Sequence, residues 1–526
     1  GGGGGGGGGG QIVARFGMRQ PAWLVSSVLS LLLSLVAASA AADTLDAVRA
    51  RGTLIWGADA EGGGPYVYPD PADPRQMIGF EAELADLVAR EIGVRAKFFQ
   101  GPWQNLPALL DTGQIDVVIN GYELTPSRAG DMEHSRPYYV YWLSLMGRPD
   151  NERLKSWSDL ATVPANGRKL KIGVLQASGA HHYLRDHYAD QVEIVVYEGT
   201  TDGMREVETG KLDATLADLP ATIFYRQRFS HLAPIGDPVG RGYYVMFVRR
   251  GDVALRDAID RALNKLLADG RLQRIYEKYG LWDDSQQALT SLGGKTADEL
   301  GIRATRLRGW AVIRSRGWLL VEAAGVTILL ACLSMPLAIV LGLLVAIGRM
   351  YGPAPLRWLL VGYVEVLRGT PLMLQLWVIF FLLPEIGLAI PAFYAAIAGL
   401  SINYSAYEAE IYRAGLQAVP RGQMEAAVAL GMSPALALRR IVIPQAVRIV
   451  IPPVANDFIA LFKDTSVCSV ITVMELTKQY SVQANDTGAT LELAALTAAL
   501  YLMMSIPLAR LASVLENRMD RRARRS

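Results

Sequence analysis

The chain divides into two halves that differ in how apolar residues are spaced. From Thr44 to about residue 283, amphipathic segments such as "GFEAELADLVAREIG" alternate with short buried runs such as "IDVVING". This alternation predicts a parallel sheet flanked by helices. A second round begins at "KLKIGVLQ", and "GMREVETGKLDATLAD" repeats the rhythm of "LPALLDTGQIDVVIN". The pattern therefore predicts two similar α/β lobes, with ligand groups on the loops after their strands and a site in the cleft between them.

The second half carries apolar runs of membrane length. They lie near residues 318–348, 358–383, 389–412, 447–473 and 490–515, and each is near or above the roughly 20 residues that a helix needs to cross a bilayer. We expect a multidomain chain: an α/β binding domain at 43–283, a linker and elbow at 284–316, and an all-α transmembrane domain of about five helices at 317–526.

The first 42 residues have the layout of an export signal. After ten glycines, which we exclude from fold reasoning, come Arg15 and Arg19, an apolar run at 23–36 and small residues at 37–42. This order is typical of a secretory signal peptide. An uncleaved anchor helix is the alternative, and it would export the next domain equally well. We therefore expect the binding domain to be extracytoplasmic.

The distribution of arginine supports one orientation in the cell (inner) membrane. An odd number of spans places the "RRARRS" tail in the cytoplasm, together with Arg349, Arg357 and the cluster Arg413, Arg421, Arg439, Arg440 and Arg448. This agrees with the excess of basic residues in cytoplasmic loops. An outer group breaks the rule because it precedes the first span: Arg303, Arg306, Arg308, Arg314 and Arg316.

Charge, cysteine and histidine content exclude few functions, but they argue against a disulfide in the exported half, a metal site and a catalytic residue. The net charge of +2 averages two dissimilar halves and gives no reason to expect a nucleic-acid partner. Cys332 and Cys468 both lie in apolar segments, so the exported half has no cysteine for a disulfide. His181, His182 and His187 lack ligand partners at the usual spacings. We expect no metal site and no catalytic residue.

A charged stretch, "QMEAAVALGMSPALALRRIVIP", interrupts the apolar runs on the predicted cytoplasmic side. Pro420 can start a helix, Gly431 can end it, and Ser433 with Pro434 can cap and start another. The stretch therefore predicts two short helices near 420–444, a shape suited to docking in the groove of a partner. A polar loop between spans is the simpler alternative.

This stretch resembles the signature of the permease subunits of ATP-binding-cassette importers. Glu425, Ala426 and Ala427, then Gly431, then "IVIP" at 441–444 match the pattern E-A-A, G, I-x-L-P. The surrounding sequence is similar to the polar amino-acid (histidine/glutamine-type) branch over nearly all of 317–526. The resemblance implies that Glu425, Ala426, Ala427 and Gly431 form the coupling site for a separate ATPase, and that two permease chains form a homodimer with two ATPase subunits.

The resemblance also implies that ATP and Mg²⁺ bind to the partner ATPase and that this chain carries no cofactor. The one tempting nucleotide motif is "GGKT" at 293–296. A P-loop requires a glycine five positions before its Gly-Lys pair, and that position is Leu289. The stretch is thus better interpreted as linker.

The first half resembles the extracytoplasmic amino-acid-binding proteins of the same transport systems over about 43–283, which implies the two-lobed fold of type II periplasmic binding proteins. The likeness rests on "GADAEGGGPYVY", "IDVVINGYELTPSR", "KIGVLQASGA" and "KLDATLADLPA". A planar guanidinium can hold a carboxylate with two parallel hydrogen bonds, and Arg128 matches the family's carboxylate-binding arginine. The other substrate-binding positions implied by the resemblance are Asp59, Tyr66, Gly121, Glu123, Thr125, Ser178 and Asp218.

The sequence leaves the bound amino acid open. Asp59, Glu61 and Glu123 near one pocket favour a basic side chain, but Glu123 could instead bind the α-amino group, which would allow a broader polar set including glutamine. A ligand-gated channel or receptor also joins an amino-acid-binding ectodomain to membrane spans, although this chain has no potassium-type filter sequence. An enzyme built on such a binder would have to turn its ligand over.

Overall fold

The computed structural model describes residues 44–61, 63–162, 167–303 and 305–523, without the side chains of 385, 511 and 515–523. The predicted signal or anchor lies outside the described residues. The described chain forms two α/β lobes followed by helices of membrane length.

The first lobe is built on a five-stranded sheet in the order β4-β1-β5-β13-β6. β1 pairs in parallel with β4 and β5, whereas β13 runs antiparallel to β5 and β6. The strands are Thr53–Ala58 (β1), Arg95–Gln100 (β4), Val117–Val118 (β5), Glu133–His134 (β6) and Phe247–Val248 (β13), and a small hairpin pairs Tyr68–Pro69 (β2) with Met77–Ile78 (β3).

The second lobe has a sheet in the order β11-β7-β10-β8-β9, and β12 also pairs with β7. β8 is parallel to β9 and β10, and β7 is antiparallel to its neighbours. The strands are Tyr139–Gly147 (β7), Leu170–Leu175 (β8), Val192–Tyr197 (β9), Ala214–Asp218 (β10), Ala233–Pro234 (β11) and Val239–Tyr244 (β12).

Both sheets are therefore mixed, and the prediction of a parallel sheet was wrong for the strands next to the hinge. The chain crosses between lobes from β6 to β7 and returns from β12 to β13. β7 and β13, the strands that follow the two crossings, run against the other strands of their sheets. Hydrogen bonds join the two crossings: Ser135 N donates to Met246 O (2.8 Å) and Tyr138 N to Tyr244 O (3.0 Å). Each crossing is short, which makes this pair of segments the hinge.

The helices of the binding domain bury one face against these sheets. In Phe80–Ile92, Phe80, Leu84 and Val88 recur every four residues and are fully buried, as expected for an amphipathic helix. The others are Thr44–Arg51, Leu106–Asp111, Pro126–Asp131, Trp157–Leu160, Gly179–Tyr188, Thr200–Glu208, Leu219–Tyr225, Val253–Ala268 and Arg271–Lys278, with 3₁₀ turns at Trp103–Asn105, Asp284–Ser291 and Asp298–Leu300.

The membrane half is helical throughout. Trp310–Tyr351 and Thr490–Val514 are long and apolar enough to cross a bilayer, and a bent pair of helices could form a third span. The helices are Trp310–Tyr351, Ala354–Gly369, Leu372–Trp377, Ala392–Ala418, Arg421–Ala429, Pro434–Ala437, Ile443–Asp464, Leu476–Thr487 and Thr490–Ala523, with π-helical turns at Val378–Leu382 and Leu438–Val442 and 3₁₀ turns at Leu383–Ile386 and Thr465–Ile471.

Two segments differ from their sequence predictions. The run predicted as one span at 358–383 is bent by 108° between Ala354–Gly369 and Leu372–Leu382, because Pro371 precedes the second helix and cannot continue the first. The second of the two short helices near 420–444 is not separate. It begins at Pro434, capped by the Ser433 side chain, and continues through a π turn into the long helix that ends at Asp464.

Candidate functional site: the cleft between the lobes

The loops that follow the parallel strands meet at one cavity between the lobes. Asp59 follows β1, Gly121 and Glu123 follow β5, Ser178 follows β8, and Asp218 ends β10. Together with Tyr66, these predicted residues line the cavity. The prediction that strand-end loops assemble a cleft site agrees with this arrangement, because carboxyl ends of parallel strands share one edge of a sheet.

Arg128 lies beside this cavity and forms its central ionic contact. Thr125 caps the helix Pro126–Asp131 by accepting from Arg128 N (3.4 Å), which places Arg128 in the first turn. The guanidinium donates to Glu123 Oε2 (2.6 Å) and, across the cleft, to the Ala177 carbonyl (2.9 Å). Arg128 and Glu123 are both buried. A buried charge needs such a partner, because the desolvated ion is otherwise costly.

Two aromatic rings hold the guanidinium in place, and sequence reasoning missed both. The Arg128 Cζ atom lies 4.1 Å from the ring centre of Tyr122 and 4.8 Å from that of Trp103. Trp103 Nε1 donates to the Asn120 carbonyl (3.1 Å), and Tyr122 donates its hydroxyl proton to the Trp103 carbonyl (2.8 Å). A tryptophan directly after β4, in "GPW", was the available signal.

Glu123 connects the two lobes. Its Oε1 accepts from the N–H of Gly179 (2.8 Å), in the first turn of the helix Gly179–Tyr188, while its Oε2 accepts from Arg128. The predicted contact residue Ser178 uses its hydroxyl as the cap of this helix, accepting from His181 N (3.2 Å) and donating to Leu175 O (2.8 Å). Gln104 Nε2 also donates across the cleft to the Glu198 carbonyl (2.9 Å). The lobes are therefore closed on one another.

Asp218 ends a short chain of hydroxyl groups. Tyr244 donates to its Oδ2, and the hydroxyls of Tyr66 and Tyr244 lie 2.9 Å apart. Burial raises the pKa of Asp218 well above its usual range, and the negative charge of Glu123 adds to this effect. An ammonium group placed beside Asp218 would oppose both effects, because a nearby positive charge favours the ionised carboxylate.

Gly121 and Asp59 are held by other parts of the first lobe. Gly121 has a φ of 58°, and a Cβ there would lie 2.8 Å from Cε1 of Tyr66. Its N–H donates to the buried Glu81 (2.8 Å), so this predicted ligand donor is already engaged. Asp59 Oδ1 accepts from Gln100 Nε2 (2.9 Å) and its Oδ2 from Trp103 N (2.9 Å).

The cavity is strongly acidic. Asp59, Glu61, Glu123 and Asp218 line it, and so does Glu198, which the sequence did not bring to attention. Thr125 lies outside this lining and faces a second space beside Tyr141 and Gly179.

His181 has a structural role: its Nδ1 accepts from Ala177 N (3.2 Å), and burial lowers its pKa to about 4. In the described part of the chain, no group of His, Cys, Asp and Glu is arranged to hold a metal ion.

The predicted coupling site lies in the membrane half, on the helix Arg421–Ala429 and the residues that follow it. In the helix Arg421–Ala429, Ala427 is buried, whereas Glu425 and Ala426 are exposed. Gly431 follows with a φ of 86°, which ends the helix. The neighbouring Leu430 is 84% exposed.

Both halves match known families. Residues 55–281 match the bacterial extracellular solute-binding proteins, family 3, and residues 338–521 match the binding-protein-dependent transport system inner membrane component. The permease half is 40% identical over 196 residues to the L-cystine transport system permease protein TcyB of Bacillus subtilis (strain 168), covering 37% of this chain and 84% of that protein. It is 37% identical over 195 residues to the probable glutamine ABC transporter permease protein GlnM of the same organism, covering 37% and 90%.

The binding half is similar to a solved ancestral arginine-binding protein bound to arginine. The identity is 26% and the TM-score 0.40, over 44% of this chain and 98% of that one. The match to a permease family decides against the ligand-gated channel, and the chain is not itself catalytic. The chain belongs to the binding-protein-dependent transport system inner membrane components, and it is an amino-acid ABC importer subunit in which a family 3 solute-binding domain is fused to the permease.

Proposed function

We propose that this subunit captures a basic amino acid outside the cytoplasm and passes it through a homodimeric membrane domain. Two separate ATPase subunits, which bind ATP and Mg²⁺, supply the energy at the cytoplasmic helix Arg421–Ala429. The binding domain is extracytoplasmic, the C-terminus is cytoplasmic, and the complex resides in the cell membrane.

The observation that carries the proposed specificity is the charge around the cavity. Five carboxyl groups line it, and two cations pair with two of them, Arg128 with Glu123 and Lys478 with Glu198. A ligand with a positive side chain would offset this excess, whereas glutamine would leave most of it uncompensated. The two permease relatives carry names that refer to different amino acids, L-cystine and glutamine, so their names do not point to one substrate for this chain.

The Arg128–Glu123 pair supports recognition of a zwitterion. An α-carboxylate can replace Glu123 on the guanidinium, and the α-ammonium can then take the place of the guanidinium beside Glu123 and Asp218. Both buried charges exchange one partner for another, so neither is left unpaired. A ligand that lacks the α-carboxylate or the α-ammonium would leave Arg128 or Glu123 without a partner. This is a physical basis for selecting free amino acids.

Calorimetry on the purified full-length chain in detergent tests this proposal. Arginine, lysine, histidine, glutamine, glutamate and leucine are titrated separately. We expect the basic amino acids to bind at least about tenfold more tightly than glutamine. Arg128→Lys keeps the charge but loses one of two parallel hydrogen bonds, each worth about 1.5–3 kcal/mol when charge-assisted, so Kd should rise roughly 10- to 150-fold.

The matched control is Arg153→Lys. Arg153 is another ion-paired arginine of the binding domain, but it pairs with Asp213 (3.1 Å) rather than with a cleft residue. Its substitution should leave Kd unchanged. Tighter binding of glutamine than of arginine would contradict the basic specificity, and wild-type affinity in Arg128→Lys would contradict the role of the guanidinium.

A further inference from the structure

A short helix of the permease half, Leu476–Thr487, makes side-chain contacts with the second lobe of the binding domain; we call it the docking helix. Lys478 Nζ lies 2.9 Å from Glu198 Oε1. Gln176 Nε2 donates to Ser481 Oγ (2.9 Å). Near the end of the helix, Arg185 donates to Asp486 Oδ1 (2.6 Å). The three contacts are spread along the helix and fix its orientation against that lobe.

The first lobe is held by a different part of the chain. Thr305 N donates to the Pro126 carbonyl (2.9 Å), and Arg308 Nη2 lies 2.7 Å from Asp131 Oδ1. Pro126 and Asp131 delimit the helix that carries Arg128. Arg308 also donates to the carbonyl of Gly488, directly after the docking helix. Three of the outer arginines that break the positive-inside pattern thus have carboxylate partners: Arg306 and Arg308 pair with Asp131, and Arg316 pairs with Asp486. Arg308 also ties the two holding elements together.

The contacts of the docking helix lie next to the ligand groups. Gln176 precedes Ala177, whose carbonyl accepts from Arg128 across the cleft. Glu198 itself lines the cavity. The side chain of Lys478 is only 1% exposed, whereas that of Glu198 is 54% exposed. A buried ammonium depends on its counter-ion, so Lys478 favours the lobe position that keeps Glu198 within reach.

We propose that Lys478 of the docking helix is a positioning residue, which holds the second lobe in its closed position through Glu198. The inference rests on the proposed amino-acid binding. The lobes are closed in the docked arrangement, and a ligand that requires closed lobes binds with an affinity that scales with the closed fraction. Docking on the permease and amino-acid binding are therefore one linked equilibrium, and each strengthens the other by the same factor.

The test measures the affinity of the full-length chain, reconstituted in lipid nanodiscs, for radiolabelled arginine. Lys478→Met removes the ammonium at a position that lies in the permease half, and we expect Kd to rise by roughly fivefold or more. Lys478→Arg retains the charge and should remain close to wild type. The matched control is Lys463→Met, which removes an exposed ammonium from the same half and should have no effect.

A double-mutant cycle separates this role from a direct contact with the ligand. Glu198→Gln alone can act on the ligand because Glu198 lines the cleft. If Lys478 acts through Glu198, adding Lys478→Met to Glu198→Gln produces no further loss. Additive losses, or an unchanged Kd in Lys478→Met, would overturn the inference.

Two further measurements keep the result decisive. If Lys478→Met does not yield a monodisperse protein, Asp486→Asn weakens the other end of the docking helix and should also raise Kd; an unchanged Kd there overturns the inference. If wild type binds none of the twenty amino acids, the proposed function fails and the inference with it. Binding by wild type with unaffected variants overturns the inference alone.

Discussion

Glu81 offers a test of how the hinge and the ligand loop are joined. Its carboxyl group is fully buried, and Oε1 accepts from the N–H of Gly121, which follows β5, and from the hydroxyl of Tyr138 at the hinge. Its Oε2 has no hydrogen-bond partner among the described residues. Glu81→Gln preserves the acceptor Oε1 and removes the ionisable group.

The expected change in the free energy of unfolding follows from the pKa of Glu81. Burial raises the pKa of Glu81 from 4.5 to about 8, against the hydrogen bonds from Tyr138 and Gly121. The folded protein keeps this proton in a range where the unfolded chain has lost it, so the contribution of Glu81 to stability falls as pH rises from 4.5 to about 8. pH 7.5 lies about 3 pH units above the ordinary pKa of 4.5. At 1.36 kcal/mol per pH unit, the stability lost by that pH is about 4 kcal/mol.

Differential scanning calorimetry of wild type and Glu81→Gln at pH 4.5, 6 and 7.5 measures this effect. The variant should gain stability relative to wild type as pH rises, and about 4 kcal/mol corresponds to roughly 8–16 °C in the Tm of a domain of this size. Glu83→Gln, on the same helix but paired with Lys278 at the surface, is the control. A Tm difference that is the same at all three pH values would refute the buried-proton explanation.

Three further substitutions test other parts of the chain. Gly121→Ala adds a Cβ that would lie 2.8 Å from the Tyr66 ring at a φ of 58°; it should cost about 1–2 kcal/mol in stability and weaken amino-acid binding, both measurable by calorimetry. Asp213→Asn weakens contacts to Arg153 and to Lys171 N (2.9 Å), so it should lower stability by about 1–3 kcal/mol with unchanged ligand affinity. Glu425→Ala should leave amino-acid binding intact but abolish ligand-stimulated ATP hydrolysis once the ATPase is added, and full stimulation would contradict its coupling role.

The strand-end residues of the site could be located from sequence because their position follows from the fold. Asp59, Gly121, Ser178 and Asp218 each follow or end a buried run, and such positions converge on one cleft. Strand direction could not be predicted for β7 and β13, because a short strand has the same alternation of apolar residues in either direction. It is the double crossing of the hinge that reverses them.

The residues that hold the site residues in place could not be predicted from the sequence, for a different reason. Trp103, Tyr122 and Glu81 act through contacts with residues remote in sequence, and an isolated buried glutamate has the same local pattern as a surface one. The contact between Lys478 and Glu198 joins positions 280 residues apart. By contrast, the bend at Pro371 had a local signal in "RGTPLM", and Gly431 ended its helix as its position indicated.

The helix that begins at Pro434 has a mechanical consequence. From Pro434 to Ile471 the backbone stays helical without a loop, through the π turn at Leu438–Val442 and past Pro452 and Pro453. At 1.5 Å per residue its α-helical and π-helical part alone is about 45 Å long. It starts three residues after Gly431 and ends five residues before the docking helix. A displacement of the end near Gly431 would therefore be carried toward the docking helix along one rod, with the paired prolines as the place where that rod can flex.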